Sequence, residues 1–250
     1  MLALSAASAS GALVHQWSFD DNLLDSSGSG NHGTFSGGTE TYVAGRFGSG
    51  ISLTAGDAVD NLAATLGSAG GANGDITINM WLNLASTPPN LAYLGGIGGR
   101  PEGTASEKRA LIQFSSGFYF WGQNGIDALA DADSGIPYIA DNAWHMYTVT
   151  LDFDGVGNVT YSFFIDGDGS FYTPVTVARD LVGSPATIGI GGTSHWGATW
   201  AGAVDEFTVW DQALNADQVA SLFTTNQIPE PSSALLFGLA GLVVLHRRAR

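Results

Sequence analysis

Oxygen-bearing side chains cluster near the start of the sequence and could bind a hard cation. Asp20, Asp21, Asn22 and Asp25 follow a short apolar stretch, and Asp205 lies towards the other end of the chain. Carboxylate and amide oxygens are the donors that Ca²⁺ prefers, in sets of about six to eight. The same residue types also form turns, because their side chains bond to nearby backbone amides. The cluster therefore indicates either a calcium site or a turn.

The sequence lacks the residue patterns that are typical of catalytic sites. The two carboxylates of a retaining glycan hydrolase lie about 5 Å apart, whereas the neighbours Asp205 and Glu206 are expected to point to opposite faces of a strand. No Gly-x-Ser-x-Gly or His-Glu-x-x-His occurs, and cysteine is absent, which excludes thiol nucleophiles and zinc–cysteine centres. The segment 166–170 resembles the start of an EF-hand loop, but Val177 stands where the final Glu belongs. We therefore predict that the protein is not an enzyme.

Four aromatic residues lie in or beside glycine-rich segments and could contact a sugar. They are Tyr93, Trp121, Trp196 and Trp200. A flat ring near the rim of a loop can pack against the apolar face of a sugar. The alternative is that these rings close the ends of a β-sandwich, and the sequence leaves both interpretations open.

The charge balance narrows the range of partners. The 250 residues include 23 Asp and Glu against 8 Lys and Arg, which gives a formal charge of −15. Such a surface repels phosphate backbones, so we expect no nucleic-acid binding. Because the chain has no cysteine, no disulfide can support it. Stability must come from the core, with a bound metal as a further possible contribution.

Alternating apolar residues predict the strands that would position these groups. The pattern covers 13–19, 76–83, 144–151, 159–165 and 203–210, and a hairpin is expected over 111–121. The alternation over 76–83 predicts a strand that is buried on one face only. Glycine-rich and Asn/Asp-rich segments between the strands indicate many turns.

One helix is expected after the last strand. Asn215 can cap its first turn, and Gln218 can complete a capping box. Leu214 and Val219 stand at the two positions of a hydrophobic staple. About ten residues are too few for a stable isolated helix, so this one must pack on a sheet. The elements together predict an all-β fold, a two-sheet antiparallel jelly-roll sandwich with one short C-terminal helix and a separate hydrophobic tail helix.

A series of short stretches, taken in order, is spread over much of the chain between 14 and 223. They are 15–22, 25–33, 45–51, 76–81, 144–145, 164–167, 202–207 and 210–214. In these stretches the segment 14–223 resembles a laminin G-like, concanavalin A-like jelly roll. The resemblance implies that the first and last strands meet and that a structural Ca²⁺ is bound at their seam by Asp20, Asn22 and Asp205. The family includes lectins, adhesion modules and relatives of glycan hydrolases, so the fold alone does not assign a function.

The C-terminal tail differs from the rest of the chain. An uncharged apolar run, 232–245, follows Pro229-Glu230-Pro231 and precedes Arg247 and Arg248. The run is shorter than the roughly 20 residues that span a bilayer comfortably, and the arginines favour the cytoplasmic side. A helix packed on the domain is the alternative. The tail resembles the PEP-CTERM sorting signal of Gram-negative bacteria, which implies processing by an exosortase and export to the outer surface.

The chain divides into three parts on this interpretation. Residues 1–12 resemble the end of a secretory signal peptide without its positively charged region, so we expect a signal-peptide remnant whose true start lies upstream. A disordered Ala/Ser arm is the alternative. The jelly-roll domain is expected at 13–224, and the sorting signal at 225–250 with a short transmembrane segment at 232–245.

The sequence predicts an exported, surface-sorted and non-catalytic jelly-roll module for adhesion or for association with glycans or extracellular matrix. Two alternatives stay open, a structural matrix protein without a specific ligand and an unrecognised glycan hydrolase. The expected partners are an exosortase, an extracellular glycan or matrix protein, and the membrane before processing. The expected location is the inner membrane through the tail, and then the cell surface or the extracellular space.

Overall fold

The computed structural model contains fifteen strands and one helix among the residues it describes. These are residues 13–65, 75–88, 93–97, 109–114, 118–124, 127–133, 138–170, 172–178, 185–191 and 200–228. In chain order the elements are β1 (Leu13–Trp17), β2 (Thr34–Ser36), β3 (Thr41–Ala44), β4 (Ser49–Leu53), β5 (Ala58–Thr65), β6 (Ile76–Asn83), β7 (Tyr93–Ile97), β8 (Arg109–Phe114), β9 (Phe118–Asn124), β10 (Asp127–Asp133), β11 (Trp144–Phe153), β12 (Asn158–Ile165), β13 (Val175–Ala178), β14 (Pro185–Gly191), β15 (Gly202–Trp210) and α1 (Ala216–Thr225).

The strands form two antiparallel sheets. The first sheet has eight strands in the order β13-β12-β11-β6-β15-β4-β3, with β1 also paired to β15. The second has seven strands in the order β10-β9-β8-β7-β14-β5-β2. The predicted all-β jelly-roll sandwich with one short C-terminal helix is confirmed, and the predicted tail helix lies outside the described residues. The expected hairpin is β8 paired with β9, in which Phe114 lies opposite Phe118.

The first and last strands pair directly, as the resemblance implied. Trp17 in β1 lies opposite Phe207 in β15, and both side chains are fully buried. Their rings contact each other with centroids 5.7 Å apart. This aromatic contact joins the start of the domain to its end and fixes the seam at which the acidic residues lie.

The main core lies between the sheets and follows the period of the strands. On β6 the side chains of Ile76, Ile78, Met80 and Leu82 point into it, which matches the predicted alternation. The expectation that this strand is buried on one face only is wrong, because seven of its eight residues are buried. The segment before α1 covers the other face, where Thr77 Oγ1 donates to the Gln212 carbonyl at 2.7 Å.

Helix α1 forms as its caps predict. Asn215 Oδ1 accepts the Gln218 backbone N–H at 3.0 Å, and Gln218 Oε1 accepts the Asn215 N–H at 3.0 Å. The helix buries Val219 and Leu222 in a second apolar cluster that also contains Trp81, Met146, Phe164 and Leu214. Ile228 packs against this second cluster as well, so the chain stays on the sheet beyond the end of the helix.

Within the part of the chain that the structure describes, no helix has the length and apolar character needed to cross a membrane. The predicted transmembrane segment at 232–245 and the signal-peptide remnant at 1–12 lie outside those residues.

Candidate functional site

The turn between β3 and β4 lies between two of the predicted calcium ligands. Asp20 Oδ1 accepts the Ser49 backbone N–H at 2.9 Å, and Asp205 Oδ2 accepts the Phe47 N–H at 2.9 Å. Within the turn, the Gly45 N–H donates to the Gly48 carbonyl at 2.9 Å. We call this segment, residues 45–49, the seam turn. The structure therefore places Asp20 and Asp205 against one short piece of backbone.

The seam turn is too crowded for side chains at its glycines. Gly48 has a φ of +67°, and a Cβ there would overlap Asp20 Oδ1. A Cβ on Gly45 would lie 2.6 Å from Asp205 Oδ2. Glycine lets the backbone approach both carboxylates closely at a low steric cost. The sequence therefore allows two acidic side chains to bind the amides of one turn.

Asp205 carries an oxygen without a partner. Its side chain is fully buried, and Oδ1 has no hydrogen-bond partner among the described residues. Burial raises the pKa of Asp205 to about 7, and the neighbouring Glu206 charge adds to the rise, although the backbone amides of Phe47, Arg46 and Glu206 lower this pKa. A buried carboxylate oxygen of this kind normally requires a proton, a hydrogen-bond donor or a metal ion. Asp205 thus fits a cation ligand.

Asn22, the third predicted ligand, fits less directly. Asn22 Nδ2 donates to the Asp20 carbonyl at 2.6 Å, and its Oδ1 accepts the Leu24 N–H at 2.9 Å. These bonds are those of a turn, which was the alternative interpretation. No group of three or more His, Asp and Glu side chains among the described residues could hold a metal. A calcium ion here would need backbone carbonyls as further ligands, which Ca²⁺ accepts.

Asp25 organises the loop after β1. Its carboxylate accepts the backbone N–H groups of Gln16, Ser27 and Asn31 at 3.1, 2.9 and 3.2 Å, and it contacts His15 Nδ1 at 3.3 Å. Burial by itself raises the pKa of Asp25, but the hydrogen bonds from Ser27, Gln16 and His15 outweigh burial and lower it. Asp25 is thus a structural carboxylate.

A groove of about 410 Å³ lies beside the seam turn on the outer face of the first sheet. Its lining includes Arg46, Trp81, Asn83, Trp144 and His145. Trp81, Asn83 and Trp144 are positioned by the pairing of β6 with β11, in which Trp144 lies opposite Asn83. We call this feature the outer groove. It combines indole rings, amides and an imidazole, the groups that stack on sugars and bond to their hydroxyls.

Arg46 projects from the seam turn over the aromatic side of the outer groove. Its guanidinium carbon lies 4.9 Å from the Trp81 ring centroid and 5.1 Å from that of Phe47. No carboxylate of the described residues lies within salt-bridge distance of it. Phe223 of α1 stacks on Trp81 with centroids 5.5 Å apart. The helix and the seam turn thus enclose Trp81, whose Nε1 has no partner among the described residues.

His145 lies between two carboxylates at the other side of the outer groove. Its Nδ1 is 2.8 Å from Asp166 Oδ2, and its Nε2 is 3.3 Å from Asp141 Oδ1. Asp166 Oδ1 also accepts the Met146 N–H at 2.9 Å. These bonds fix the imidazole, and nearby Asn83 Nδ2 donates to the Asn142 carbonyl at 3.2 Å. The polar wall of the groove is therefore held by its own hydrogen bonds.

Comparison with known protein families identifies the family of this two-sheet architecture. Residues 57–220 match the Laminin_G_3 family, described as the concanavalin A-like lectin/glucanases superfamily. The chain belongs to this superfamily. No curated protein matches the chain. The expected laminin G-like, concanavalin A-like domain is therefore confirmed over most of its length.

Solved structures with this concanavalin A-like fold include domains of larger proteins. Domain 4 of AbnA, an extracellular arabinanase from Geobacillus stearothermophilus solved with arabinotriose, has a TM-score of 0.66 and 19% identity over 85% of this chain and 98% of that one. The binding domain of Paraclostridial Mosquitocidal Protein 1 has a TM-score of 0.60 and 17% identity over 86% of this chain. The binding domain of Botulinum Neurotoxin DC, solved in complex with SialylT, has a TM-score of 0.57 and 15% identity over 89% of this chain. This chain spans about half of each toxin domain, 52% and 53%.

The predicted sugar-contacting aromatics fall in different places of this concanavalin A-like domain. Trp200 is 3% exposed and belongs to the main core, which favours the packing interpretation for that ring. Tyr93 lies in β7 and Trp121 in β9, but their side chains, like all of Trp196, lie outside the described residues. The sorting residues Pro229, Glu230, Pro231, Arg247 and Arg248 also lie outside them.

The outer groove was not predicted from the sequence. Arg46 lay only within the stretch 45–51 of the family resemblance, and Trp144 and His145 lay only within that resemblance and a predicted strand. One signal was available, because cations are scarce in this chain, with 8 Lys and Arg among 250 residues. An arginine inside a glycine-rich turn is therefore unusual here. Its contact with Trp81 depends on the packed fold and could not be derived from spacing.

Proposed function

We propose that this protein is an exported, non-catalytic glycan-binding module of the cell surface or extracellular matrix. The outer groove carries the proposal. Trp144 is half-buried there and supplies an indole ring, while Asn83, Asn142 and His145 supply fixed polar groups. Shallow sites that bind sugars combine such rings with convergent amides. The neighbours solved with arabinotriose and with SialylT have the same fold and support a saccharide as the ligand class.

The arrangement of the carboxylates favours binding over hydrolysis. Asp205 and Glu206 are both buried, and Glu206 accepts Gln16 Nε2 at 3.0 Å while Asp205 binds the seam turn. Neither lines the outer groove. Asp166, which does line it, is bound to His145 and to the Met146 amide. A glycosidase needs a free acid and a second carboxylate on either side of the bond it breaks. Release of reducing sugar from β-glucans would contradict the proposal.

We also propose a structural Ca²⁺ at the seam turn. The unpartnered Oδ1 of buried Asp205 supports it, and Asp20 lies against the same turn. Calcium would supply a charge that offsets the buried carboxylate and would hold the first and last strands together. Asn22 enters the proposed set as a helper through the loop that its side chain closes.

Export and sorting complete the proposed function. The Pro229-Glu230-Pro231 motif, the apolar run and Arg247-Arg248 support recognition by an exosortase and a temporary membrane anchor. The module would then reach the cell surface or the matrix. Replacing Pro229-Glu230-Pro231 with three alanines should leave the protein in the membrane fraction of cells that contain an exosortase. Unchanged release would contradict the sorting role.

Glycan binding is tested with the full-length chain on a glycan array, followed by calorimetry with each hit. Trp144→Ala should weaken binding about fivefold or more, because stacking on an aromatic ring contributes about 1 kcal/mol or more. Trp210→Ala is the matched control, since Trp210 packs against the same second cluster but does not line the groove. An array without any hit would favour the structural matrix protein without a specific ligand.

A further inference from the structure

The outer groove contains a cation that the described part of the protein does not neutralise. Arg46 makes ring contacts with Trp81 and Phe47, and neither ring accepts its N–H groups as an oxygen would. A guanidinium has five N–H donors in a planar fork. As far as the described residues are concerned, those donors can therefore bond to solvent or to a ligand. A cation without a carboxylate partner among the described residues is unusual in a chain of formal charge −15, in which acidic groups outnumber basic ones.

The backbone that carries Arg46 is fixed before any ligand arrives. The next amide, that of Phe47, donates to Asp205, and the Ser49 amide donates to Asp20. The Gly45 N–H closes the turn on Gly48. The backbone of Arg46 is thus held by the turn, and its guanidinium is held by the rings of Trp81 and Phe47. Both restraints lower the conformational entropy lost on binding. A preorganised arginine fork favours a planar, two-oxygen acceptor such as a carboxylate.

The other charges around the groove limit what kind of anion can bind. Asp166 and Asp141 are bound to His145, and Asp20 and Asp205 are bound to the seam turn. Their field and the overall charge repel a polyanion that lacks further contacts. A bound carboxylate must therefore be presented by a ligand that also uses Trp144 and the amides of Asn83 and Asn142. A sugar ring that bears a carboxylate meets both requirements.

We propose that the outer groove selects a saccharide that carries a carboxylate and that Arg46 is the group that binds this carboxylate. The inference rests on the proposed glycan binding and adds the ligand class to it. Uronic acids and sialic acids share the required chemistry. Neutral saccharides would use the ring and amide contacts alone and bind more weakly.

The test compares acidic saccharides with their uncharged forms on the full-length chain. Calorimetry is carried out with oligogalacturonate and its methyl ester, and with sialyllactose and its methyl ester. The acid should bind at least about tenfold more tightly than its uncharged counterpart, because a hydrogen bond between two charged groups is stronger than one to a neutral acceptor. Whichever pair shows this preference identifies the source of the carboxylate.

Three variants separate the role of Arg46 from changes in charge or folding. Arg46→Gln should reduce affinity for the acid to that for the uncharged form, and Arg46→Lys should give an intermediate loss because it keeps the charge without the fork. Thr173→Glu, at an exposed position that does not line the groove, changes the net charge equally and should have little effect. Thermal melting of each variant establishes that it is folded.

The outcomes distinguish this inference from the proposed function. Equal binding of acid and ester, or an Arg46→Gln variant that keeps the preference, would overturn the role of Arg46 and leave glycan binding standing. Binding of polyglutamate as tight as that of oligogalacturonate would also overturn it, since the sugar ring would then contribute nothing. The absence of binding to any saccharide on the array would overturn both proposals.

Discussion

Asp20 and Asp205 bind the same turn from opposite ends of the chain. Asp20 accepts the Ser49 N–H and Asp205 accepts the Phe47 N–H, each at 2.9 Å. These two bonds connect the start of the domain to its end, and they lie beside the pairing of β1 with β15, which makes the same connection. It also explains why the turn is glycine-rich, since side chains would collide with the two carboxylates. The seam turn therefore connects the pairing of the first and last strands, the proposed calcium site and the outer groove.

Gly48→Ala should destabilise the protein by about 2–4 kcal/mol. The positive φ of +67° disfavours alanine, and the new Cβ would overlap Asp20 Oδ1. Gly155→Ala is the matched control, because Gly155 has a φ of +74° with nothing within 4 Å of its Cβ position. This control should cost only the backbone strain, about 1–2 kcal/mol. Urea unfolding of both variants checks the difference, and equal losses would show that Asp20 does not restrict the turn.

Calcium should raise the melting temperature, and Asp205→Asn should abolish that rise. At a calcium concentration one hundred times its dissociation constant, the gain would be about 2.7 kcal/mol, or about 5–10 °C for a domain of this size. In chelator, the variant should be at least as stable as the natural protein. The reason is that an amide removes the buried charge and still accepts the Phe47 N–H.

Calorimetric melting with calcium and with chelator provides the measurement for both proteins. Asp217→Asn, on the exposed surface of α1, removes one carboxylate elsewhere and should keep the full calcium shift. An equal melting temperature with calcium and with chelator for the natural protein would count against the site and would leave Asp20 and Asn22 as turn residues.

His15 should make stability depend on pH. Burial lowers its pKa below 6.5, although the bond to Asp25 and its charge oppose this. The unfolded chain therefore binds a proton on His15 more readily than the folded protein does. The stabilising contribution of neutral His15 to the free energy of unfolding is fully present above pH 6.5, and it is lost as the pH falls towards the lowered pKa. Stability should thus decrease on acidification through this window.

The pH effect of His15 is measured as a difference between two proteins. Asp205 acts in the opposite direction, because a pKa raised from 3.8 to about 7 removes stability as the pH rises. Free energies of unfolding at several values between pH 5 and 7.5, in chelator, are therefore compared for the natural protein and His15→Gln. The variant should lose less stability on acidification. Parallel curves would show that His15 stays uncharged or is equally charged in both states.

Local sequence patterns predicted the elements of this fold well, because alternation and capping act over short distances. The inward side chains of β6 and the capping box of Asn215 and Gln218 follow directly from residue types. The burial of the outer face of β6 did not follow from them. It depends on the segment around Gln212 and on α1, which pack on Thr77 and Trp81 from a distant part of the chain.

The candidate site could be predicted only in part for the same reason. The acidic residues at the seam were visible as a cluster, and the resemblance to a known family joined Asp20 to Asp205. The outer groove combines Arg46, Trp81 and Trp144 from three separate segments. Each segment contributed to the family resemblance, but none of them indicated a binding site. Trp200 was equally visible in the sequence, yet it lies in the core. Residue type alone does not separate a binding indole from a packing one.

Asn215→Ala should destabilise the protein by about 1 kcal/mol, because Asn215 Oδ1 accepts the Gln218 N–H and the variant leaves that donor without a partner. Asn215→Asp is the control that keeps an acceptor at this position and adds a charge that favours the start of a helix, so it should preserve or raise stability. Urea unfolding followed by tryptophan fluorescence reports both effects, since Phe223 of α1 stacks on Trp81. If the alanine and aspartate variants lost equal stability, the cap would not hold α1 on the sheet, and contacts of Val219 and Leu222 alone would account for its position.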